Sequence, residues 1–204
     1  TSVTIFNSIV YYSLNFTQVI SGVLMISTIP VMIIFISSIL KIEKTNTFQI
    51  LGVACSFMGV VLIITKANLG ILINLDFNKG DLTMVFGMLS WATYSALLKK
   101  KKHKLSQLTL LEVIISFGFI FLIPIYFIEY QMGYRIVLDQ NFLMILFYVV
   151  LFPGLASFIF WIKGLSVIGA NRAGVFLHMM PILSAIMAMI IFNEKFMFYH
   201  MLGA

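Results

Sequence analysis

One short pattern occurs twice in this chain and constrains its fold more than any other feature. It consists of a proline, a Glu-Lys pair that begins thirteen residues later, and a glycine eight residues after the lysine. The two copies are Pro30, Glu43-Lys44 and Gly52, and then Pro181, Glu194-Lys195 and Gly203. Each position of the second copy lies 151 residues after its counterpart, and two of the chain's four prolines belong to the pattern. Chance explains this agreement poorly, so the sequence predicts an internal duplication.

Apolar residues dominate the composition. Hydrophobic residues make up 61% of the chain, the mean hydropathy is +1.08, and only 10% of the residues are charged, compared with about 25% in soluble domains. This composition indicates an integral membrane protein. The net charge of +6 then reflects loop charges that orient the protein in the membrane, and we expect no nucleic-acid partner.

The sequence lacks the groups of residues that catalysis usually requires. It contains no nucleophile elbow, no metal-ligand cluster, no close pair of intramembrane carboxylates and no nucleotide-binding motif. The single cysteine, Cys55, lies inside an apolar run, where a small buried side chain is its expected role. We therefore expect no enzyme activity, no cofactor and no bound metal.

Apolar runs long enough to cross a membrane alternate with short polar segments, since a hydrocarbon core requires about 20 apolar residues. Asn46 and Gln49 predict a capping box ahead of the second complete run, and Asp81 is the expected N-cap of the third. The predicted fold is an all-α integral membrane bundle of six complete transmembrane helices with a truncated one at each end. The complete spans are 19–40, 48–65, 81–98, 108–128, 142–162 and 173–192, and the truncated ones are 1–16 and 196–204.

Basic residues are distributed unequally between alternate loops. One set of loops holds nine of them, including five lysines in 99–104, and the other set holds four, so the first set should be cytoplasmic. The shift of 151 residues moves each helix onto the one five spans later. Because five is odd, the two copies cross the membrane in opposite directions, an architecture typical of secondary transporters. The other cytoplasmic basic residues are Lys41, Lys44, Lys163 and Arg172, and the opposite loops carry Lys66, Lys79, Arg135 and Lys195.

A family resemblance rests on the duplicated pattern and its flanking residues. These are Tyr12-Ser-Leu-Asn-Phe, Pro30, Glu43, Gln49, Gly52 and Gly59, followed by Gly164, Leu165, Gly174, Pro181, Glu194 and Gly203. The pattern resembles the EamA-type members of the drug/metabolite transporter superfamily over nearly the whole chain. The resemblance implies ten helices in two inverted repeats of five. On that plan, residues 1–66 are helices 3–5, residues 81–204 are helices 6–9 and the start of helix 10, and helices 1 and 2 are absent.

Polar and aromatic side chains recur at helical spacing inside several spans. Small residues and hydroxyls at such positions serve helix packing in membranes, whereas an aromatic residue with a polar edge suits an organic solute. Glu112 is the one carboxylate well inside a span, where an ionisable group is costly and a candidate for function; alternatively, it reaches the cytoplasmic interface beside Lys102 or Lys104. The candidate substrate-binding residues are Trp91, Tyr94, Trp161, His178, Asn15 and Glu112.

The duplication also relates the helices that bear these candidates. At the shift of 151 residues, the helices that bear Asn15 and Trp161 are equivalent, and so are the helices that bear Ser27 and His178. Equivalent helices of an inverted repeat meet near the bilayer midplane, where transported solutes bind. We therefore expect Trp91, Tyr94, Trp161 and His178 to line one pocket.

The residues of the duplicated pattern itself are interpreted as structural. Glu43 and Glu194 would each place a carboxylate near a helix N-terminus, where it meets unpaired amides and the positive end of the helix dipole. Pro30 and Pro181 would bend their helices, because each removes one amide donor, and bent helices can open a cavity at the bilayer centre. The remaining positions of the motif are Gly52 and Gly203.

The inverted repeat and the resemblance together imply a multi-pass permease of the inner (plasma) membrane. It would carry a small organic solute, such as an amino acid, a metabolite or a drug-like compound, by alternating access among membrane lipids. Proton coupling through Glu112 or His178 and uncoupled facilitation both stay open, as does a homodimer. The alternative is a lipid-flipping or lipid-modifying membrane protein, which would normally show several convergent polar or acidic groups near one membrane face.

Overall fold

The computed structural model describes residues 2–17, 19–75, 78–100, 105–192 and 197–203, and within these ranges it contains helices and no β-strand. The predicted basic run 101–104 and the motif residue Glu194 lie outside the described residues. The helices are α1 (Ser2–Ser13), α2 (Val19–Ile26), α3 (Ile29–Ile39), α4 (Thr47–Ile64), α5 (Leu69–Ile73), α6 (Lys79–Lys100), α7 (Gln107–Gln131), α8 (Gln140–Val149), α9 (Ser157–Ile168), α10 (Ala170–Val175), α11 (Met179–Phe192) and α12 (Phe198–Gly203). A π-helical segment, Val150–Ala156, joins α8 to α9, and a 3-10 turn, Phe176–His178, joins α10 to α11.

Five helical segments of the described chain are long and apolar enough to cross a membrane, so this is an all-helical, multi-pass membrane protein. They correspond to five of the six predicted complete spans. The sixth, 81–98, lies in α6, which has 22 residues but carries charged residues near both ends. The number of transmembrane helices therefore stays a prediction. The five segments are Ser21–Ile39, Thr47–Ile64, Leu108–Gln131, Gln140–Ile168 and Ala170–Ile191.

Side-chain caps fix where several helices begin. The predicted capping box at the start of α4 is confirmed: Asn46 accepts from the backbone N–H of Phe48 over 3.4 Å, and Gln49 accepts from the N–H of Asn46 over 3.2 Å. Ser106 caps α7 and Asp139 caps α8 in the same way, each accepting an N–H three residues later. Such caps satisfy amides that the first helical turn leaves unpaired.

The start of α6 differs from the prediction that Asp81 is its N-cap. The helix begins at Lys79, and the carbonyl oxygen of the Asn78 side chain accepts from the N–H groups of Gly80 and Asp81 over 2.7 and 3.2 Å. The carboxylate of Asp81 accepts in return from the N–H of Asn78 over 2.8 Å. Asn78 is therefore the cap, and Asp81 is the reciprocal partner one turn later, as in a capping box.

The buried core of the bundle forms around α6. Met84, Met88 and Ala92 are fully buried at the i, i+4 spacing of one helix face. They pack with Ile29 and Ile33 of α3, and residues of α9 and α10 complete the cluster. This packing makes α6 the element that positions its neighbours.

Helix α1 packs against a second side of α6. The hydroxyl groups of Ser13 and Thr83 are hydrogen-bonded over 2.7 Å. A Cβ atom at Gly87 would lie 3.1 Å from Cγ2 of Ile9. Small residues and a hydroxyl pair thus bring the two helices together, as is typical in membranes.

The helix is interrupted just before each motif proline. Pro30 is the second residue of α3, and the break at 27–28 separates α3 from α2. Pro181 is the third residue of α11, which follows the 3-10 turn. Proline has no amide hydrogen, so the carbonyl four residues earlier loses its helical partner in both copies.

Candidate functional site

Four aromatic side chains surround Trp91, and we call these five residues the aromatic cluster. The ring centroid of Trp91 lies 4.9 Å from that of Phe6 on α1 and 5.5 Å from that of Tyr94 on α6. It lies 5.7 Å from each of the rings of Phe158 and Trp161 on α9. The angles between the ring planes range from 33° to 75°, and such tilted arrangements are favourable for aromatic pairs.

Helical spacing explains why these rings meet. Trp91 and Tyr94 are three residues apart on α6, and Phe158 and Trp161 are three residues apart on α9, so each pair occupies one helix face. The two faces meet where α6 and α9 pack, and Trp91 and Trp161 also border the buried core. Three of the four residues predicted to share a pocket are therefore brought together.

Two polar atoms of the aromatic cluster are buried without a hydrogen-bond partner in the described part of the protein. They are the hydroxyl oxygen of Tyr94, a residue that is 9% exposed, and Nε1 of Trp161. The indole N–H only donates, whereas a phenol hydroxyl both donates and accepts. Because buried polar groups are nearly always paired, these two atoms mark a place where a polar partner would be stabilised.

A cavity of about 420 Å³ adjoins the aromatic cluster and shares Phe158 with it. It lies between α1, α7 and the π-helical segment. In that segment Pro153 lacks an N–H for the helical hydrogen bonds, and the N–H of Ser157 donates to the carbonyl of Phe152, five residues earlier. Irregularities of this kind occur frequently at functional sites. The polar and small residues that line the cavity include Thr4, Asn7, Ser8, Gly118 and Gly154.

His178, the fourth predicted pocket residue, contacts a different set of groups. Its Nε2 lies 2.8 Å from the carbonyl oxygen of Ser27, and its Nδ1 lies 2.8 Å from the hydroxyl oxygen of Ser56. The residue is 3% exposed, and its ring lies 6.5 Å from that of Phe57. A carbonyl only accepts, so Nε2 carries the proton, and the Ser56 hydroxyl can donate to Nδ1.

The two remaining substrate-binding candidates are exposed. The side-chain amide of Asn15 donates to the carbonyls of Tyr11 and Tyr12 over 3.2 and 3.1 Å and so caps the end of α1. Glu112 lies on an exposed face of α7, next to the buried Leu111. The geometry thus favours the aromatic cluster over these two residues as the core of a site.

Glu43 connects the two halves of the chain. Its two carboxylate oxygens accept from the N–H groups of Ala170 and Asn171 over 2.9 and 3.1 Å, at the start of α10. Gly169, just before this helix, has φ of +87°, and a Cβ there would overlap the Glu43 carboxylate. Thr45 also accepts from the side-chain amide of Asn171 over 3.4 Å. The carboxylate therefore satisfies unpaired amides of a helix that is remote in sequence.

The two motif glycines have different surroundings. A Cβ at Gly203 would overlap the carbonyl oxygen of Gly59, and a Cβ at Gly59 would overlap that of Gly203, so α12 and α4 touch through their backbones. A Cβ at Gly52 would meet nothing within 4 Å. Of the motif glycines, Gly203 is the one that a close helix contact requires here.

Three contributors to these contacts were missed by the sequence analysis. The sequence gives no reason to single out Phe6 and Phe158, because nothing in a membrane span distinguishes a packing phenylalanine from one in a site. Ser56 interrupts an apolar run, and a polar residue at such a position was the available signal.

Comparison with known proteins finds relatives that are named as transporters. The chain is 21% identical over 183 residues to the "uncharacterized transporter YyaM" of Bacillus subtilis (strain 168), covering 90% of this chain and 60% of that protein. It is 25% identical over 209 residues to the "uncharacterized transporter YetK" of the same organism, covering 100% of this chain and 62% of that protein. An "uncharacterized transporter" of Archaeoglobus fulgidus is 26% identical over 201 residues, which are 98% of this chain and 68% of that protein.

The chain thus spans between 60% and 68% of the length of these relatives. No solved structure matches it significantly. The model of the EamA-like transporter family matches residues 78–204, from the cap of α6 into α12, which is more than half of the chain. This chain of membrane-spanning helices is accordingly a member of the EamA-like transporter family.

Proposed function

We propose that this protein is a secondary-type permease that moves a small organic solute across the inner (plasma) membrane by alternating access. Family membership and the transporter names of its relatives support transport as the activity. The sequence contains no nucleotide-binding motif, so the solute's own gradient or an ion gradient would supply the free energy.

One observation carries the proposal of alternating access. Ser27 and His178 are 151 residues apart, which is the period of the duplication, and they are hydrogen-bonded to each other. Equivalent positions of two copies can touch only close to the axis that relates the copies. Residues 1–66 and 81–204 are therefore proposed as repeats that face each other across this contact, which is the arrangement by which inverted-repeat transporters exchange inward- and outward-open states.

The aromatic cluster is the proposed place where the solute rests. Trp91 lies at its centre, on α6, around which the buried core forms, and a solute would approach it from the cavity beside Phe158, between α1 and α7. The cavity volume falls within the range of sites for small organic molecules, about 300–1,000 Å³. Rings with polar edges can hold such a molecule by stacking and by hydrogen bonds at the same time.

Transport is tested by reconstituting the purified protein into liposomes. Uptake of a panel of labelled amino acids and small aromatic metabolites is measured with and without an imposed pH gradient, and scrambling of a fluorescent phospholipid is measured in parallel. We expect saturable uptake of at least one solute without lipid scrambling. Scrambling without uptake would favour the lipid-flipping alternative, and the absence of both would contradict transport by this chain.

A replacement at the centre of the cluster adds a second readout. Trp91→Ala should weaken solute binding by roughly 1–3 kcal/mol, the range expected for loss of a buried aromatic contact. Phe117→Ala, on the exposed face of α7, is the matched control and should keep the affinity of the parent. Equal affinities for both variants would assign the cluster to helix packing.

A further inference from the structure

The geometry points to an uncharged, flat solute that carries a hydrogen-bond acceptor, held at the aromatic cluster by the hydroxyl group of Tyr94 and the indole N–H of Trp161. The inference rests on the proposed function, since it names the chemical class of the transported molecule. It is carried by three separate features of the cluster: two polar atoms without partners, a set of rings, and the positions of the nearby charges.

The unpaired polar atoms define what the solute must offer. Tyr94 is more than nine-tenths buried, and neither its hydroxyl oxygen nor Nε1 of Trp161 has a partner among the described residues. Leaving a buried donor unsatisfied is unfavourable, because the group has lost its hydration without gaining a hydrogen bond. An oxygen or nitrogen acceptor on the solute would remove this cost at Trp161, whose N–H can only donate, and Tyr94 can serve the same acceptor or a second group.

The placement of charged residues argues for an uncharged solute. Helix α1 contains none, and those of α6 are confined to its first three and last two positions. Asp81 is engaged with Asn78, and Lys99 donates to the carbonyl of Ser166. Lys163, the charged residue of α9, is exposed and two residues from Trp161, so it projects from a different part of the helix. Glu112 of α7, the helix that lines the cavity, is also exposed. A charged solute would therefore lose its hydration at the cluster without a counter-charge from α1, α6 or α9, which is strongly unfavourable.

The ring arrangement argues for a flat solute. Trp91 is in contact with four other rings at centroid distances between 4.9 and 5.7 Å. A flat ring that enters from the cavity beside Phe158 can replace one of these contacts by an equivalent one. A puckered ring of the same size presents hydrogens on both faces and cannot stack in this way.

Intrinsic fluorescence gives a direct test, because Trp91 and Trp161 are the two tryptophans of the entire sequence and both belong to the cluster. The purified chain in detergent is titrated with benzamide, which is uncharged, flat and an acceptor. Benzoate differs in its charge, and cyclohexanecarboxamide differs in its puckered ring. We expect a saturable fluorescence change with benzamide and dissociation constants at least tenfold higher for the other two probes.

Conservative variants test the two donors. Tyr94→Phe and Trp161→Phe keep a ring and lose the polar group, and each should raise the dissociation constant of benzamide about three- to tenfold, as the loss of one hydrogen bond implies. The remaining tryptophan reports binding in the second variant. Tyr148→Phe removes a hydroxyl from an exposed residue of α8 and should bind as the parent does. Thermal unfolding of each variant verifies that it is folded.

The results separate this inference from the proposed function. Benzoate binding as tight as benzamide, unchanged affinity in both conservative variants, or no saturable change with benzamide would each overturn the inference. Benzamide binding without uptake of any solute into liposomes would contradict transport and leave the binding site intact. Uptake confined to charged solutes would support the proposed transport activity and contradict the inference that the solute is uncharged.

Discussion

Nε2 of His178 donates to the carbonyl oxygen of Ser27 over 2.8 Å, and each of the two residues lies three positions before the proline of one copy of the duplicated pattern. The carbonyl belongs to the break between α2 and α3, and the imidazole belongs to the 3-10 turn before α11. Two irregular backbone segments at equivalent positions are thus joined at one point. Because the buried imidazole also contacts Ser56 on α4, three helical segments depend on this residue.

The first prediction concerns the stability of this junction. His178→Ala removes two hydrogen bonds and leaves the hydroxyl of Ser56 without its partner, so it should lower the free energy of unfolding by about 1–3 kcal/mol. Thermal unfolding in detergent, followed by circular dichroism, measures the change. His200→Ala is the control, since Nδ1 of His200 accepts from the N–H of Met197, the residue just before α12. Equal effects of the two substitutions would show that the junction adds no particular stability.

The second prediction concerns Glu43. Its carboxylate accepts two N–H groups at the start of α10, so Glu43→Ala should destabilise the protein by about 1–2 kcal/mol, the upper range for loss of a helix cap. Glu43→Gln retains an acceptor and should cost less. Glu129→Ala, at an exposed position near the end of α7, controls for the loss of a negative charge. The loss of stability should be largest for Glu43→Ala, smaller for Glu43→Gln and smallest for Glu129→Ala. Equal losses for all three variants would show that only the negative charge matters.

The third prediction compares two glycines of α4. A Cβ at Gly59 would overlap the backbone of α12, whereas a Cβ at Gly52 would meet no atom within 4 Å. Gly59→Ala should therefore separate the helices and cost about 1–3 kcal/mol, as overpacking usually does. Gly52→Ala should be neutral or stabilise by about 0.5–1 kcal/mol, because alanine favours the helix. Melting temperatures that shift in the same direction would contradict the close contact with Gly203.

The fourth prediction is the topology. In a Cys55→Ser background, a cysteine at position 103 should resist an impermeant thiol reagent in intact cells, because the surrounding basic run is expected in the cytoplasm. A cysteine at Asn74, an exposed position after α5, should react. The reverse labelling pattern would invert the predicted orientation.

Much of the helical organisation could be predicted, because apolar length and polar caps are local signals. The Asn46 capping box and the five membrane-length segments follow from them. The error at Asp81 arose because both Asn78 and Asp81 are good capping residues, and only the backbone geometry distinguishes the cap from its partner. The predicted span 19–40 matches the membrane-length segment Ser21–Ile39. Within it, Pro30 is the signal of the break at 27–28, because apolarity continues through that break.

Part of the candidate site could be predicted from the sequence. The i, i+3 pairs of aromatic residues on α6 and α9 follow from helical spacing, but which faces meet depends on the packing of α6 against its neighbours. The separation of His178 from the aromatic rings could not be derived, because the duplication predicts that its helix meets the equivalent helix without giving the partners of its side chain. The π-helical segment also gave no signal beyond Pro153, since its extra residue per turn changes the backbone and not the composition.

That segment has a consequence for how the site can vary. One residue corresponds to about 100° of helical rotation, so a π-helical turn sets the direction in which everything after it faces. Deleting one residue within 150–156 would restore a regular helix and rotate Phe158 and Trp161 away from Trp91, although none of the three had been replaced. A single insertion or deletion in this short stretch can therefore change which residues of α9 face Trp91, whereas the same change by point substitution would require several replacements.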